Sequence, residues 1–211
     1  MKIIVFGASG NTGKEIVKQA LARGHSVTAF VRNPDSLREE YGFRVVQGDV
    51  LDPAEVADAI VGHQAVLSAL GARTRKKTDL LARAIPNILA GMRQHYVTRL
   101  IVLGAAGTQR DYGKYQNALT RIIYGVAKRT MLRHPFADQA AQERLLAASE
   151  IDYTIVRPSR LMDTPFTGTY RILPDAMPSG SQRISRADVA DFMLIQLTDP
   201  RFHRQGPYIG S

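Results

Sequence analysis

The first thirteen residues, MKIIVFGASGNTG, carry an apolar run directly into glycines at 7, 10 and 13 and then into the helical pattern Lys14 to Arg23. A chain that opens this way is committed to a strand, a tight turn and a helix. Gly7 can take the positive φ that a sharp exit from strand Lys2–Phe6 demands. Gly10 lets a ligand's pyrophosphate approach the backbone, and Gly13 lets the helix lie close on the strand. Ser9, Asn11 and Thr12 add side-chain donors beside the free N–H groups of the helix start, whose positive end favours an anion. Ile16, Val17, Ala20 and Leu21 share one helix face, the context in which such a glycine pattern predicts a dinucleotide site.

Strand-like and helical runs go on alternating through the first 160 or so residues, which predicts a parallel sheet covered on both faces. Strands are expected at Ser26–Val31, Phe43–Gln47, Ala65–Ala69, Arg99–Leu103 and Tyr153–Val156. Helices are expected at Pro53–Val61, Lys77–His95 and from about Gly113 to Ser149. Asp52 is a natural N-cap, with Pro53 at the first helical position and Glu55 three residues past the cap. From Asp163 to Gln182 glycine and proline become frequent, which predicts loops with a short strand near Gly168–Leu173. Ser185 then caps a helix from Arg186 to Leu197, with Asp188 in its first turn. The fold class is therefore α/β, a doubly wound parallel sheet with a short C-terminal cap. With 211 residues and no linker or repeat, one domain over 1–211 is expected.

Cysteine is absent, which excludes disulfides and thiol chemistry, and the five histidines show no ligand spacing, so no metal site is expected. No apolar run reaches the roughly 20 residues of a membrane span, and a strand starts at once where a signal peptide would stand. A cytoplasmic protein without a membrane partner is the expectation. The net charge is +9. The basic residues are spread out, apart from Arg73-Thr-Arg75-Lys76-Lys77 and Lys128-Arg129, and no nucleic-acid motif accompanies them. They are read as solvated surface rather than a nucleic-acid face.

The coenzyme's form is read from the strand ends. Ser26–Val31 runs into Arg32 and Asn33 with no carboxylate at its tip. A guanidinium there suits a ribose 2′-phosphate by charge and by stacking on adenine, which favours NADPH (NADP) over NADH. Asp49, before Val50, either accepts from the adenine amino group or caps the turn into Asp52. Leu70 and Gly71 end the fourth strand, where small residues let the chain pass a ribose closely.

Gly7, Gly10 and Gly13, Val31-Arg32, Gly48-Asp49-Val50, Leu70-Gly71 and Tyr153-Thr-Ile-Val-Arg157-Pro158 together resemble the atypical short-chain dehydrogenases of the NmrA-like group. Within it, the chain is similar to the flavin reductase (biliverdin reductase B) type, whose C-terminal segment resembles Pro165–Tyr170 and Ile184–Met193. The resemblance spans nearly the whole chain. It implies a Rossmann-like fold and an NADPH-dependent oxidoreductase passing hydride to a flavin, tetrapyrrole, quinone or similar flat conjugated acceptor. It further implies that Gly7, Ser9, Gly10, Asn11, Thr12 and Gly13 hold the pyrophosphate and Arg32 the 2′-phosphate, while Asp49 and Val50 face adenine. Leu70, Gly71, Gly104, Gln139, Arg160 and Leu161 would line the path to the nicotinamide. Arg73 and Tyr112, with Arg75 and Tyr115 nearby, are candidates for holding the substrate.

Two departures from the group's chemistry stand in the sequence. The fifth strand enters Gly104-Ala105-Ala106-Gly107, so alanine replaces the serine of the flavin reductase at Ala106. Tyr124-Gly-Val-Ala-Lys128 spells the Tyr-x-x-x-Lys pair of conventional short-chain dehydrogenases. The helix preceding Tyr153 nevertheless puts that family position at Pro135 and Gln139, and Tyr124 and Lys128 are read as chance neighbours. No catalytic residue is assigned. The missing proton donor keeps a second reading in play, a non-catalytic NADP(H)-binding redox sensor acting through a protein partner. The oligomeric expectation is a monomer or weak homodimer.

Overall fold

The computed structural model describes residues 1–37, 42–71, 77–107 and 133–211. Strand β1 (Lys2–Phe6) leads to helix α1 (Asn11–Ala22), β2 (Ser26–Val31), β3 (Phe43–Gln47), α2 (Pro53–Ile60) and β4 (Ala65–Ser68). Then come α3 (Leu80–Gln94), β5 (Arg99–Leu103), α4 (Arg133–Ala147) and β6 (Asp152–Pro158). The tail supplies β7 (Arg160–Met162), β8 (Arg171–Leu173), β9 (Arg183–Ser185), α5 (Arg186–Ile195) and β10 (Tyr208–Gly210).

Eight strands form one sheet in the order β3-β2-β1-β4-β5-β6-β10-β8, parallel throughout except where β8 runs antiparallel to β10. Both faces are covered, so the strands are apolar on both sides rather than alternating. Ile3 and Val5 pack with Ile16, Val17 and Ala20 of α1 and with Val189, Phe192 and Met193 of α5. Ile4 and Phe6 point the other way, onto Val56 and Ile60 of α2, Ile85, Ile88 and Met92 of α3, and Leu146 of α4. The doubly wound architecture is thus the one expected from the alternating pattern.

The boundaries differ where the caps differ. α1 begins at Asn11, not Lys14, because Gly10 with φ −76° and ψ 162° is its N-cap; two of the three glycines therefore belong to the helix start. α3 begins at Leu80 rather than Lys77, since a carboxylate from another helix stops it there. Asp138 of α4, only 4% exposed, accepts from Leu81 N and Ala82 N, both at 3.0 Å. Asp52 caps α2 as expected, its Oδ1 accepting from Ala54 N and Glu55 N. Ser185 caps α5, accepting from Asp188 N at 2.8 Å.

The tail departs most from expectation. Of the strand near Gly168–Leu173 only Arg171–Leu173 is extended, and β7, β9 and β10 carry no period-2 pattern long enough to mark them. β10 continues the parallel sheet beyond β6, while β7 and β9 make a separate parallel pair. The segment 108–132, with Tyr112, Tyr115, Tyr124 and Lys128, and the segment 72–76, with Arg73 and Arg75, lie outside the described residues.

Candidate dinucleotide-binding site

The crevice lies where the sheet order reverses. β1 is flanked by β2 on one side and β4 on the other, both in parallel register, so the chain leaves the sheet in opposite directions there and opens a gap at the carboxyl ends. Gly7 follows β1 with φ 76°. A Cβ on it would stand 2.8 Å from the Ala69 carbonyl carbon and 2.9 Å from Leu70 N. The exits of β1 and β4 are in contact, and Ala69 N donates to Phe6 O at 2.9 Å.

Gly13 packs tightest. A Cβ there would collide with Gly7 O and lie 2.7 Å from Ala8 Cα, so the first turn of α1 rests directly on the turn leaving β1. Gly10 has no side chain with which to cap the first-turn amides, and that turn contains no acidic residue. The first-turn amides of this helix of 12 residues thus have no cap from residue 10, and a helix start of this kind attracts anions. Thr12 is buried, leaving Ser9 and Asn11 nearer the surface. The Ser68 hydroxyl at the end of β4 is buried without a hydrogen-bond partner among the described residues, a further polar group at this edge of the sheet. These features fit a dinucleotide.

Arg32 follows the last residue of β2 and is exposed; its carbonyl accepts from Gln47 Nε2, and its guanidinium makes no ion pair among the described residues. Asp49 caps the turn into Asp52, one of its two sequence readings. Its Oδ1 accepts from Leu51 N at 3.0 Å, and its N donates to Glu55 Oε2 at 2.6 Å. Glu55 therefore braces the β3 exit instead of closing a reciprocal box with Asp52. Val50 is buried, and its carbonyl accepts from Asn87 Nδ2 at 3.0 Å.

At the β5 exit Gly104 is a packing requirement, because a Cβ on it would be 2.7 Å from Ile155 Cγ2. Gln142 is fully buried and donates through Nε2 to Leu103 O at 3.1 Å and to Gln139 Oε1 at 3.0 Å. Since Leu103 O only accepts, this fixes the Gln142 amide, and it leaves the Gln139 amide nitrogen as a donor. Pro135 and Gln139 stand four residues apart on α4, as the sequence placed them. Ala106 is buried beside Met177 and Tyr208. Arg160 is exposed on β7, and Leu161 packs against the α1 side of the core.

Three residues that sequence reasoning did not assign to the site come from the tail: Asp163 and Arg186 meet beside Asn11, and Asp188 anchors the loop that follows Asp163. Asp163 Oδ1 lies 3.4 Å from Asn11 Nδ2 and 2.6 Å from Arg186 Nη1. Asp188, 1% exposed, accepts from Thr167 N and Gly168 N at 2.9 Å each, from Thr167 Oγ1 and from Ser185 Oγ. The Asp188 signal was present as a first-turn acid of α5, but its partners 20 or so residues upstream are set by tertiary packing. Burial pushes the Asp188 carboxyl up, and the hydrogen bonds from Ser185 and Thr167–Gly168 outweigh it, holding the group below the usual carboxylate range.

Asp188→Asn should destabilise the fold by about 2–4 kcal/mol at neutral pH, since the amide cannot accept on both sides and each bond to a charged acceptor contributes about 1.5–3 kcal/mol. A depressed pKa means the charged form stabilises the fold above the unfolded value near 4 and loses that effect as pH falls through the folded value. The gap in melting temperature between variant and wild type should therefore narrow below about pH 4. A gap that stays constant from neutral to strongly acidic pH would remove the ionised carboxylate from this account.

Among the described residues no helix is long and apolar enough to cross a membrane, and no group of three or more His, Asp or Glu could hold a metal ion. Residues 7–200 match the NAD(P)H-binding family. YwnB of Bacillus subtilis (strain 168), itself uncharacterized, is 30% identical over 207 residues, 95% of this chain and 93% of its own. The uncharacterized chloroplastic protein At2g34460 of Arabidopsis thaliana is 32% identical over 217 residues, covering 92% of this chain and 72% of its own. The solved structure of SP1627 from Streptococcus pneumoniae TIGR4, a candidate NADH-flavin reductase, superposes with a TM-score of 0.82 at 25% identity, over 100% of this chain and 99% of that one. A Veillonella parvula short-chain dehydrogenase/reductase in complex with NADP shares the fold, with a TM-score of 0.79 at 18% identity over 100% and 94% of the two chains. With its glycine turn at the switch point of a doubly wound sheet, this chain belongs to the NAD(P)H-binding family of Rossmann-fold, oxidoreductase-like proteins.

Proposed function

We propose that this protein is an NADPH-dependent reductase of flat conjugated acceptors, such as flavins, tetrapyrroles or quinones. The observation that carries the reading is the composition of the β5 exit. Ala106, buried beside Met177 and Tyr208, takes by the sequence resemblance the place of a flavin reductase's serine, and Pro135 and Gln139 of α4 that of the tyrosine and lysine of conventional short-chain dehydrogenases. None of the three is an acid. Reduction of a simple ketone needs a proton placed on the developing alkoxide, whereas a reduced flavin or quinone spreads its charge over its own ring system. The likeness to SP1627 points the same way.

In this reading the chain's residues bind and orient. Gly7, Ser9, Gly10, Asn11, Thr12 and Gly13 hold the diphosphate, Arg32 the 2′-phosphate, and Asp49 and Val50 the adenine side. Leu70, Gly71, Gly104, Arg160 and Leu161 shape the way to the reacting end, where the Gln139 amide donates a hydrogen bond. The bound coenzyme supplies a hydride. Holding donor and acceptor face to face contributes up to roughly 7–11 kcal/mol in favourable systems without any protein acid. The residues 1–211 act as one domain, and Arg73 and Tyr112 hold the acceptor.

Purified protein given NADPH with FMN, riboflavin or a quinone should consume the coenzyme, read as loss of its near-ultraviolet absorbance, and should leave simple ketones untouched. Tight NADP binding with no turnover across that panel would overturn the reductase reading in favour of a redox sensor working through a protein partner.

A further inference from the structure

The chain from Asp163 to Tyr170 is a strap that starts beside Asn11 of α1, and α5 fixes it at three points. Asp188 takes the Thr167 and Gly168 amides. The Tyr170 hydroxyl donates to Asp191 Oδ2 at 2.6 Å, and Asp191 pairs in turn with Arg23, the C-cap of α1. At the leading end Arg186, the first residue of α5, holds Asp163. Because β7 precedes the strap and these anchors follow it, Asp163 has a defined place, and that place is beside Asn11 at the start of α1.

A carboxylate there is out of keeping with an anion site. The first turn of α1 carries no acid of its own, so Asp163 is a negative charge that the tail brings to the positive end of that helix. Arg186 is the cation that offsets it. A coenzyme diphosphate on the same amides would lie well within the Debye length of about 8 Å from both charges. It would be repelled by Asp163 and attracted by Arg186.

Resting on the reading of residues 7–13 as the diphosphate turn, we infer that Asp163 and Arg186 form an electrostatic selector that sets coenzyme affinity with opposite signs. Asp163 restrains phosphate binding by competing for Asn11 and for Arg186. Arg186 is the phosphate-facing cation that the tail contributes, and it becomes fully available once Asp163 is neutral. The pair tunes how tightly the coenzyme is held, and so how readily it exchanges between turnovers.

The test is NADP titration by calorimetry of full-length wild type, Asp163→Asn, Arg186→Gln and the double variant, at low and at high salt, with melting temperatures measured in parallel. Asparagine keeps the acceptor for Arg186 and the contact to Asn11 while removing the charge. Asp163→Asn should bind about three- to tenfold tighter and Arg186→Gln about tenfold weaker at low salt, the size expected of single, partly screened charges. The double variant should return near wild type, and all differences should shrink as salt rises. A pair that only ties the strap down predicts weaker binding in both single variants, in step with lowered melting temperatures. That result, or unchanged affinity in either single variant, overturns the inference while leaving the diphosphate turn standing. Absence of NADP binding by the wild type would overturn both.

Discussion

Gly13→Ala should abolish measurable NADP binding and lower the melting temperature, whereas Gly71→Ala should leave the fold intact. A Cβ at position 13 would run into the Gly7–Ala8 backbone, colliding with Gly7 O and standing 2.7 Å from Ala8 Cα and 2.9 Å from Gly7 C. Backbone cannot rotate aside as a side chain can, so α1 must move off the β1 turn. Overpacking of this kind costs about 1–3 kcal/mol in stability. The first-turn amides move with the helix, and the diphosphate depends on their convergence, so affinity should fall by far more than tenfold in the roughly 1.4 kcal/mol-per-decade relation. At Gly71 a Cβ would meet nothing within 4 Å. Its alanine variant separates the two ways in which a glycine serves such a site. Loss of NADP affinity there without loss of stability would mean that the coenzyme itself passes over residue 71. If Gly13→Ala binds NADP as the wild type does, the turn is structural and the dinucleotide lies elsewhere.

Much of this architecture is written locally. β1, the Gly7 turn and α1 are adjacent in sequence, so strand periodicity, glycine spacing and helix amphipathicity all bear on one short segment. The same holds for α2, whose Asp52 cap, Pro53 and Glu55 sit within four residues of one another. What escapes the sequence is what long-range contacts decide. α3 is stopped by Asp138, a residue 56 positions away from the amide at Ala82. β10 is three residues long and becomes a strand only because β6 offers a free edge beside it. Asp188 reads locally as a helix-cap acid and acts as the anchor of a strap 20 residues upstream. Arg186 and Asp163 carry no pattern at all, since a pair of opposite charges on a basic chain is ordinary until the fold sets it against Asn11. Gly7 and Arg32 stand at strand ends that periodicity locates, and Gly10 and Gly13 at the helix start beside them; the tail's share of the site depends on how the last 50 or so residues wrap back over α1.

Arg32→Asp should reverse the coenzyme preference. In the wild type the guanidinium stands at the end of β2 with only the backbone carbonyl of that residue engaged, by Gln47 Nε2, so among the described residues no carboxylate competes with a 2′-phosphate for it. A charge-assisted contact of this sort contributes about 1.5–3 kcal/mol, or roughly 10- to 100-fold in affinity. An aspartate placed there does two things at once. It repels the 2′-phosphate, and it presents at the strand tip the acceptor that holds the free 2′-hydroxyl of NADH in dinucleotide sites of this topology. NADPH affinity should therefore fall by about 100-fold or more, while NADH affinity holds or improves. Arg32→Ala should lose the NADPH advantage without gaining NADH, which isolates attraction from repulsion. The wild-type preference should itself weaken with added salt, since Arg32 is exposed and its field is screened. A ratio of the two dissociation constants that moves less than about threefold in Arg32→Asp would remove Arg32 from the phosphate and leave the choice of coenzyme to residues beyond the end of β2.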